Sequence, residues 1–168
     1  MRYYPAALAL SLLAGVSASS GHSAPPQALD PRAASLLAQG EGDLAAGRLD
    51  EAVNAYEAAL TIQPGSVEVL LGLANVTRRQ GMQGKALHYY REALVVDPQN
   101  LSAISGEGAA LVEKGAVEKA RRNLARLQGL CGTNCAATRQ LAAVIAKGPA
   151  PRMVTADAVK PAPVVTEN

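Results

Sequence analysis

Residues 47–66 read GRLDEAVNAYEAALTIQPGS, and residues 81–100, lying 34 positions later, read GMQGKALHYYREALVVDPQN. Laid over one another, Gly47 meets Gly81, Ala52 meets Ala86, Tyr56 meets Tyr90, Ala59 meets Ala93, Leu60 meets Leu94 and Pro64 meets Pro98. A further shift by the same period brings Gly115, Ala120, Leu124 and Leu127 into register. The segments ahead of these blocks align as well: Leu36, Leu70 and Ile104, then Gly40, Ala74 and Gly108. One period holds two apolar-periodic segments of helical length, separated by glycine and closed by proline.

Each period therefore predicts a helical hairpin. Helix A runs over about Ala33–Ala46 and helix B over about Leu49–Ile62, with counterparts one and two periods on. Gly47, Gly81 and Gly115 supply the positive φ that ends helix A. Pro64 and Pro98 cannot continue helix B. The small residues Gly40, Ala74 and Gly108 let helix A lie close to helix B at Ala52, Ala86 and Ala120. Tyr56 and Tyr90 fill the space between successive hairpins. A bulky side chain at one of these small positions costs roughly 1–3 kcal/mol in overpacking.

A 34-residue period carrying these residue types resembles the tetratricopeptide repeat. The resemblance covers residues 33–130. The third repeat departs from it: Leu124 stands in place of tyrosine, and the stretch near Gly132 replaces the closing proline. Gln39 and Glu107 occupy a position where the family usually has leucine, and Asp43 one where a large apolar residue is common. The resemblance implies an all-α, right-handed solenoid of three hairpins, at about 33–66, 67–100 and 101–130. A solenoid needs its last apolar face covered. Ala137, Leu141, Val144 and Ile145 recur at helical spacing within 135–147, so that segment predicts a seventh, capping helix, started by Thr133 or Asn134 and ended by Gly148-Pro149. The repeat domain then spans 32–147.

The ends read differently. The chain opens MRYYPAALALSLLAGVSASS, with Arg2 ahead of an apolar or small run from Ala6 to Val16. Val16-Ser17-Ala18 has the small-x-small form that a signal peptidase reads, so residues 1–18 are expected to be a cleaved export signal. The run is shorter than the roughly 20 residues a membrane span needs, and no stable span is expected after cleavage. Val16 occupies the place a lipoprotein signal gives to cysteine. Residues 19–31 read as a flexible, proline-bearing lead in which Asp30-Pro31 starts the first helix. Residues 148–168 have prolines, small residues and no helical period, and read as a disordered tail. Periplasmic or secreted localisation follows.

Composition narrows the function. With no Trp or Phe, and only Tyr56, Tyr89 and Tyr90 in the repeats, the chain lacks the aromatic platform and dense basic face of a nucleic-acid binder. Charge is uneven. Residues 19–70 hold seven acidic and two basic side chains, and residues 71–147 hold eleven basic and five acidic ones. Such a division can orient a charged partner. Catalytic residues are not expected: no phosphate loop, placed carboxylate pair or metal-spaced ligand set is visible, and His22 and His88 stand without ligand-spaced neighbours. No cofactor and no metal are expected.

Cys131 and Cys135 are the two cysteines, in LQGLCGTNCAATRQL. In an exported chain two cysteines read most simply as one disulfide. Gly132 and Asn134 form turns, and a turn can bring the two Cα atoms within the roughly 4.4–6.8 Å a disulfide tolerates. A staple would set the angle of the capping helix. Thiol redox chemistry and metal handling are the weaker alternatives: the spacing is one residue longer than C-x-x-C, and no histidine follows the second cysteine.

In the family, helices A line a concave groove that holds peptides or extended segments. The resemblance thus implies partner-binding positions at Leu37, Glu41, Leu44, Leu71, Asn75, Arg78, Arg79, Ser105, Ala109 and Val112, with Asn75, Arg78 and Arg79 on one face. One subclass grips the C-terminal carboxylate of cytosolic chaperones with a lysine and an asparagine where this chain has Leu37 and Glu41, so that clamp is not expected. The leading expectation is a periplasmic scaffold binding a peptide or envelope protein. An accessory assembly factor for a pilus, secretion or outer-membrane complex is the alternative, and a thiol redox or metal-handling protein the third.

Overall fold

The computed structural model describes residues 28–149. The signal peptide (1–18), most of the lead and nearly all of the tail expected above lie outside the described residues. Within them are seven helices and no strand. They are α1 (Pro31–Ala45), α2 (Leu49–Ile62), α3 (Val67–Arg79), α4 (Gln83–Val96), α5 (Leu101–Glu113), α6 (Val117–Cys131) and α7 (Ala136–Lys147). Each helix packs on the next, and α1, α3 and α5 also touch in sequence, as do α5 and α7. The odd-numbered helices therefore form one layer and the even-numbered helices the other.

The hairpin turns are made alike three times. Gly47, Gly81 and Gly115 take φ of 78°, 78° and 86°. The residue after each returns its N–H to a carbonyl five positions back: Arg48 to Asp43 at 2.9 Å, Met82 to Thr77 at 2.9 Å and Ala116 to Leu111 at 2.7 Å. This is the Schellman closure, which needs a left-handed residue at that point. At the other ends the helices are capped by side chains. Asp30 Oδ1 accepts from Arg32 N at 2.8 Å, Ser66 Oγ from Val69 N at 3.4 Å and Asn100 Oδ1 from Ala103 N at 2.9 Å. Ser66 and Asn100 share one register and start α3 and α5.

Tyr56 and Tyr90 hold the hairpins together. Both are 1 % exposed. A β-carbon on Gly40 would lie 2.5 Å from the Tyr56 ring, and one on Gly72 2.7 Å from it. The ring is thus clasped between α1 and α3 where neither has a side chain. Tyr90 packs with Ala74 and Ala86 in one apolar cluster and meets Gly106 of α5 in the same way. Gly40 therefore makes room for the tyrosine of helix B rather than for Ala52 alone. Gly108 makes room for Leu141 of the capping helix, whose side chain would stand 2.6 Å from an added β-carbon.

Two of the three family-atypical polar residues, Asp43 and Glu107, have partners, and Gln39 is exposed. Asp43 is buried and accepts from Arg48 Nε at 3.0 Å and Nη2 at 2.5 Å. Glu107 accepts from Arg91 of α4 at 3.0 Å and Asn123 of α6 at 2.9 Å. Each substitutes a paired polar contact for an apolar one, as burial of charge requires.

The cap differs from expectation in its first turn. Cys135, not Thr133 or Asn134, occupies the N-cap of α7, and no side chain caps that end. Cys131 and Cys135 form a disulfide, with Cα atoms 5.8 Å apart. Thr138, which is buried, donates its hydroxyl to the Gly132 carbonyl at 2.9 Å and ties the turn to the helix it precedes. Leu141 then enters the cluster of Ile104 and Leu127.

Candidate functional site

The face of the odd-numbered helices carries two depressions that share one residue. The first, of about 390 Å³, lies between α1 and α3 and is lined by Leu37, Glu41, Leu44, Tyr56, Glu68, Leu71, Gly72 and Asn75. The second, of about 690 Å³, runs from α3 across α5 to α7. Its walls include Asn75, Arg78, Tyr90, Ser105, Ala109 and Gln140. Asn75 borders both, so the depressions adjoin at that residue along the line from the first hairpin to the cap.

Helical spacing explains who reaches it. Leu37, Glu41 and Leu44 recur at i, i+4, i+7 on α1, and Leu71, Asn75 and Arg78 repeat that pattern one period later on α3. Eight of the ten groove positions expected from the sequence, Leu37, Glu41, Leu44, Leu71, Asn75, Arg78, Ser105 and Ala109, line these depressions. Two of the expected positions do not. Val112 is fully buried, in one apolar cluster with Val144 and Ile145 of α7. Its register matches Leu44 and Arg78, but the capping helix has closed over it. Arg79 turns away from Arg78 and donates from Nη1 to the Leu44 carbonyl at 2.8 Å, near the end of α1. The expected face of Asn75, Arg78 and Arg79 is therefore Asn75 and Arg78 alone. Ser105 and Ala109 are nearly covered as well, and Ser105 donates to the Ala137 carbonyl of α7 at 3.3 Å.

The face is electrostatically uneven. At its centre Tyr90 donates its hydroxyl to Asn75 Oδ1 at 2.8 Å. Arg78 Nη1 pairs with Glu113 at 2.8 Å, and Glu113 also accepts from Gln83 Nε2 at 3.0 Å. Burial raises the Tyr90 phenol above its ordinary value, Arg78 opposes that rise, and Glu113 adds to it. Toward α1 the walls carry Glu41 and Glu68. Burial is also the main cause that raises the Tyr56 phenol, with Glu41 and Asp43 pushing the same way.

Elsewhere the surface offers less chemistry. His88 is exposed, 3.3 Å from Glu92. Among the described residues no three His, Cys, Asp or Glu side chains are grouped to hold a metal ion, and no helix is long and apolar enough to cross a membrane. Sequence reasoning did not single out Tyr56, Gly72 or Gln140 as groove residues. Tyr56 and Gly72 have a signal for packing rather than for the groove, since the ring fills the gap left by the small residues of α1 and α3.

Stacked helical hairpins of this kind define a class of protein-interaction scaffolds, a fold typically without catalysis of its own. The chain belongs to the tetratricopeptide repeat family: two family models described as tetratricopeptide repeat match it, over residues 70–150 and 43–82. Solved structures agree in fold. The tetratricopeptide domain of Sgt2 from Aspergillus fumigatus is 24 % identical with a TM-score of 0.65, covering 79 % of this chain and 95 % of that one. The first such domain of Spaghetti (RPAP3), bound to the HSP90 peptide SRMEEVD, is 22 % identical with a TM-score of 0.62, covering 76 % and 98 %. The type III secretion translocator chaperone SycD of Yersinia enterocolitica is 19 % identical with a TM-score of 0.62, covering 70 % and 95 %. Among curated relatives, the cellulose synthase operon protein C of Komagataeibacter sucrofermentans is 32 % identical over 119 residues, which are 63 % of this chain and 9 % of that protein. A CTR9 homolog of Arabidopsis thaliana is 33 % identical over 92 residues, 54 % of this chain and 8 % of that protein. The chain thus spans less than a tenth of the length of these relatives.

Proposed function

We propose that this protein is a periplasmic interaction scaffold that holds an extended segment of an envelope protein along its concave face. The observation that carries this reading is the sharing of Asn75 by the two depressions. Together the two depressions bring leucines, polar groups, small residues and both tyrosines to one face, with Asn75 common to both. Peptide complexes on this fold support it: RPAP3 holds SRMEEVD, and SycD holds a peptide of the translocator YopD. Export rests on the leader read from residues 1–18, and the disulfide is consistent with an oxidising compartment. The test is photo-crosslinking in a Gram-negative host that exports the chain. A photoreactive residue replacing Asn75 is expected to capture a saturable envelope partner, and one replacing the exposed Glu51 of α2 is not. Equal capture from both positions, or none from Asn75, rejects the groove. An intact mass that does not begin at Ser19 rejects the processing.

An accessory role in assembling an envelope complex is the second reading. The match to cellulose synthase operon protein C supports it, through a segment that is a small part of that protein. Deletion that leaves one envelope complex unassembled, with its subunits still made, would select it over a passive scaffold.

A further inference from the structure

We infer that the α1–α3 end of the groove takes a lysine or arginine side chain of the bound segment, with apolar residues of that segment lying on Leu37, Leu44 and Leu71. The inference rests on the groove reading above and adds the chemistry of the occupant.

Two carboxylates line this depression, and neither has a cation of its own. Glu41 and Glu68 enter no salt bridge among the described residues, and Glu68 only accepts from the Ser66 hydroxyl at 3.1 Å. Arg48 is paired with Asp43 and Arg78 with Glu113, while Arg79 holds the neutral Leu44 carbonyl at the end of α1 and pairs with neither Glu41 nor Glu68. Tyr56 is a second and independent sign. Its ring is buried, it borders the depression, and its hydroxyl has no hydrogen-bond partner among the described residues. Its counterpart Tyr90 satisfies the same group on Asn75. Glu41 stands in that asparagine's register and leaves the Tyr56 hydroxyl available to a ligand.

Leucines beside carboxylates suit a long cationic side chain. Its methylene stem covers apolar surface while its head reaches the charged rim, and an arginine head adds donors that a carboxylate accepts in pairs. A peptide carboxylate there would face like charge. The negative balance of residues 19–70 extends the same preference beyond contact distance.

The test is amide NMR of the mature full chain titrated with two capped peptides, Ala-Leu-Lys-Leu-Ala and the same peptide with glutamate for lysine. The lysine peptide is expected to shift the amides around Glu41, Glu68 and Leu71. The glutamate peptide should bind about tenfold more weakly or worse, as should the lysine peptide to E41Q/E68Q, whose exposed sites leave the fold intact. The difference should shrink in about 0.5 M salt. Equal binding of both peptides overturns the cation inference while leaving a peptide groove. An absence of shifts at these residues also overturns it, and the Asn75 crosslink then decides the groove by itself.

Discussion

Tyr90 occupies the place of a side chain on Gly106: a β-carbon built there would lie 2.3 Å from ring atom Cε1 and 2.4 Å from Cζ. The ring cannot retreat without giving up the hydroxyl's bond to Asn75 at 2.8 Å. The same contact therefore locks the second hairpin to the third and shapes the middle of the groove.

Gly106→Ala is accordingly expected to destabilise the domain by roughly 1–3 kcal/mol. Gly42→Ala is the control, since an added β-carbon there meets nothing within 4 Å. An exposed helical glycine replaced by alanine should instead stabilise by about 0.5–1 kcal/mol. Denaturant unfolding of the two variants should move the midpoint in opposite directions. A neutral Gly106→Ala would mean that Tyr90 is not the fixed wedge described.

Much of this was readable from the sequence, because a period of 34 residues samples the same environment repeatedly. Gly47, Gly81 and Gly115 turn the chain in the same way, and Tyr56 and Tyr90 fill the same gap. Register fails where an environment occurs once. Val112 stands in the register of Leu44 and Arg78 yet is buried, because only the last repeat has a capping helix over it. Arg79 neighbours a groove residue but satisfies a helix-end carbonyl, a demand that no side-chain pattern reveals. Gly72 and Gly106 align with each other but with Ala38 in the first repeat, which hides their common task of admitting a tyrosine from the preceding hairpin.

Reducing the Cys131–Cys135 disulfide should cost about 2 kcal/mol of stability, the chain-entropy value for so short a loop. The effect should be local. Amides of α7 should exchange faster with solvent while those of α3 and α4 stay protected, because the loop joins only α6 to the cap. Thr138→Val adds a second probe of the same turn. It leaves the Gly132 carbonyl without its partner and is expected to cost about 1–3 kcal/mol. Uniform loss of protection across the chain would show that the cap is not a separate unit.

Alkaline titration tests the two buried phenols. Both Tyr56 and Tyr90 are raised above the ordinary value of 10.0. The folded state then holds their protons more tightly than the unfolded state does. Their contribution to stability is complete below pH 10 and is lost as pH rises from there through the folded values. Tyr90→Phe removes one such group, so its stability should fall less steeply above pH 10 than the parent's. It should also delete one late-titrating phenol from the ultraviolet absorbance curve. A parallel fall, with no phenol missing from the late part of the curve, would contradict the burial assigned to Tyr90.

Arg78 and Arg79 are adjacent in sequence and separated in task, which gives them different phenotypes. Arg79→Ala removes a donor to the Leu44 carbonyl at an exposed helix end, and the expected loss is about 0.5–1.5 kcal/mol of stability with partner capture at Asn75 unchanged. Arg78→Ala leaves Glu113 with Gln83 alone and opens the groove wall beside Tyr90. Its unfolding should change modestly, since exposed and half-exposed pairs contribute only about 0–1 kcal/mol, while capture at Asn75 should fall. Thermal unfolding and the crosslink yield, measured on both variants, separate the two arginines. Matching behaviour in both measurements would return them to a single surface patch.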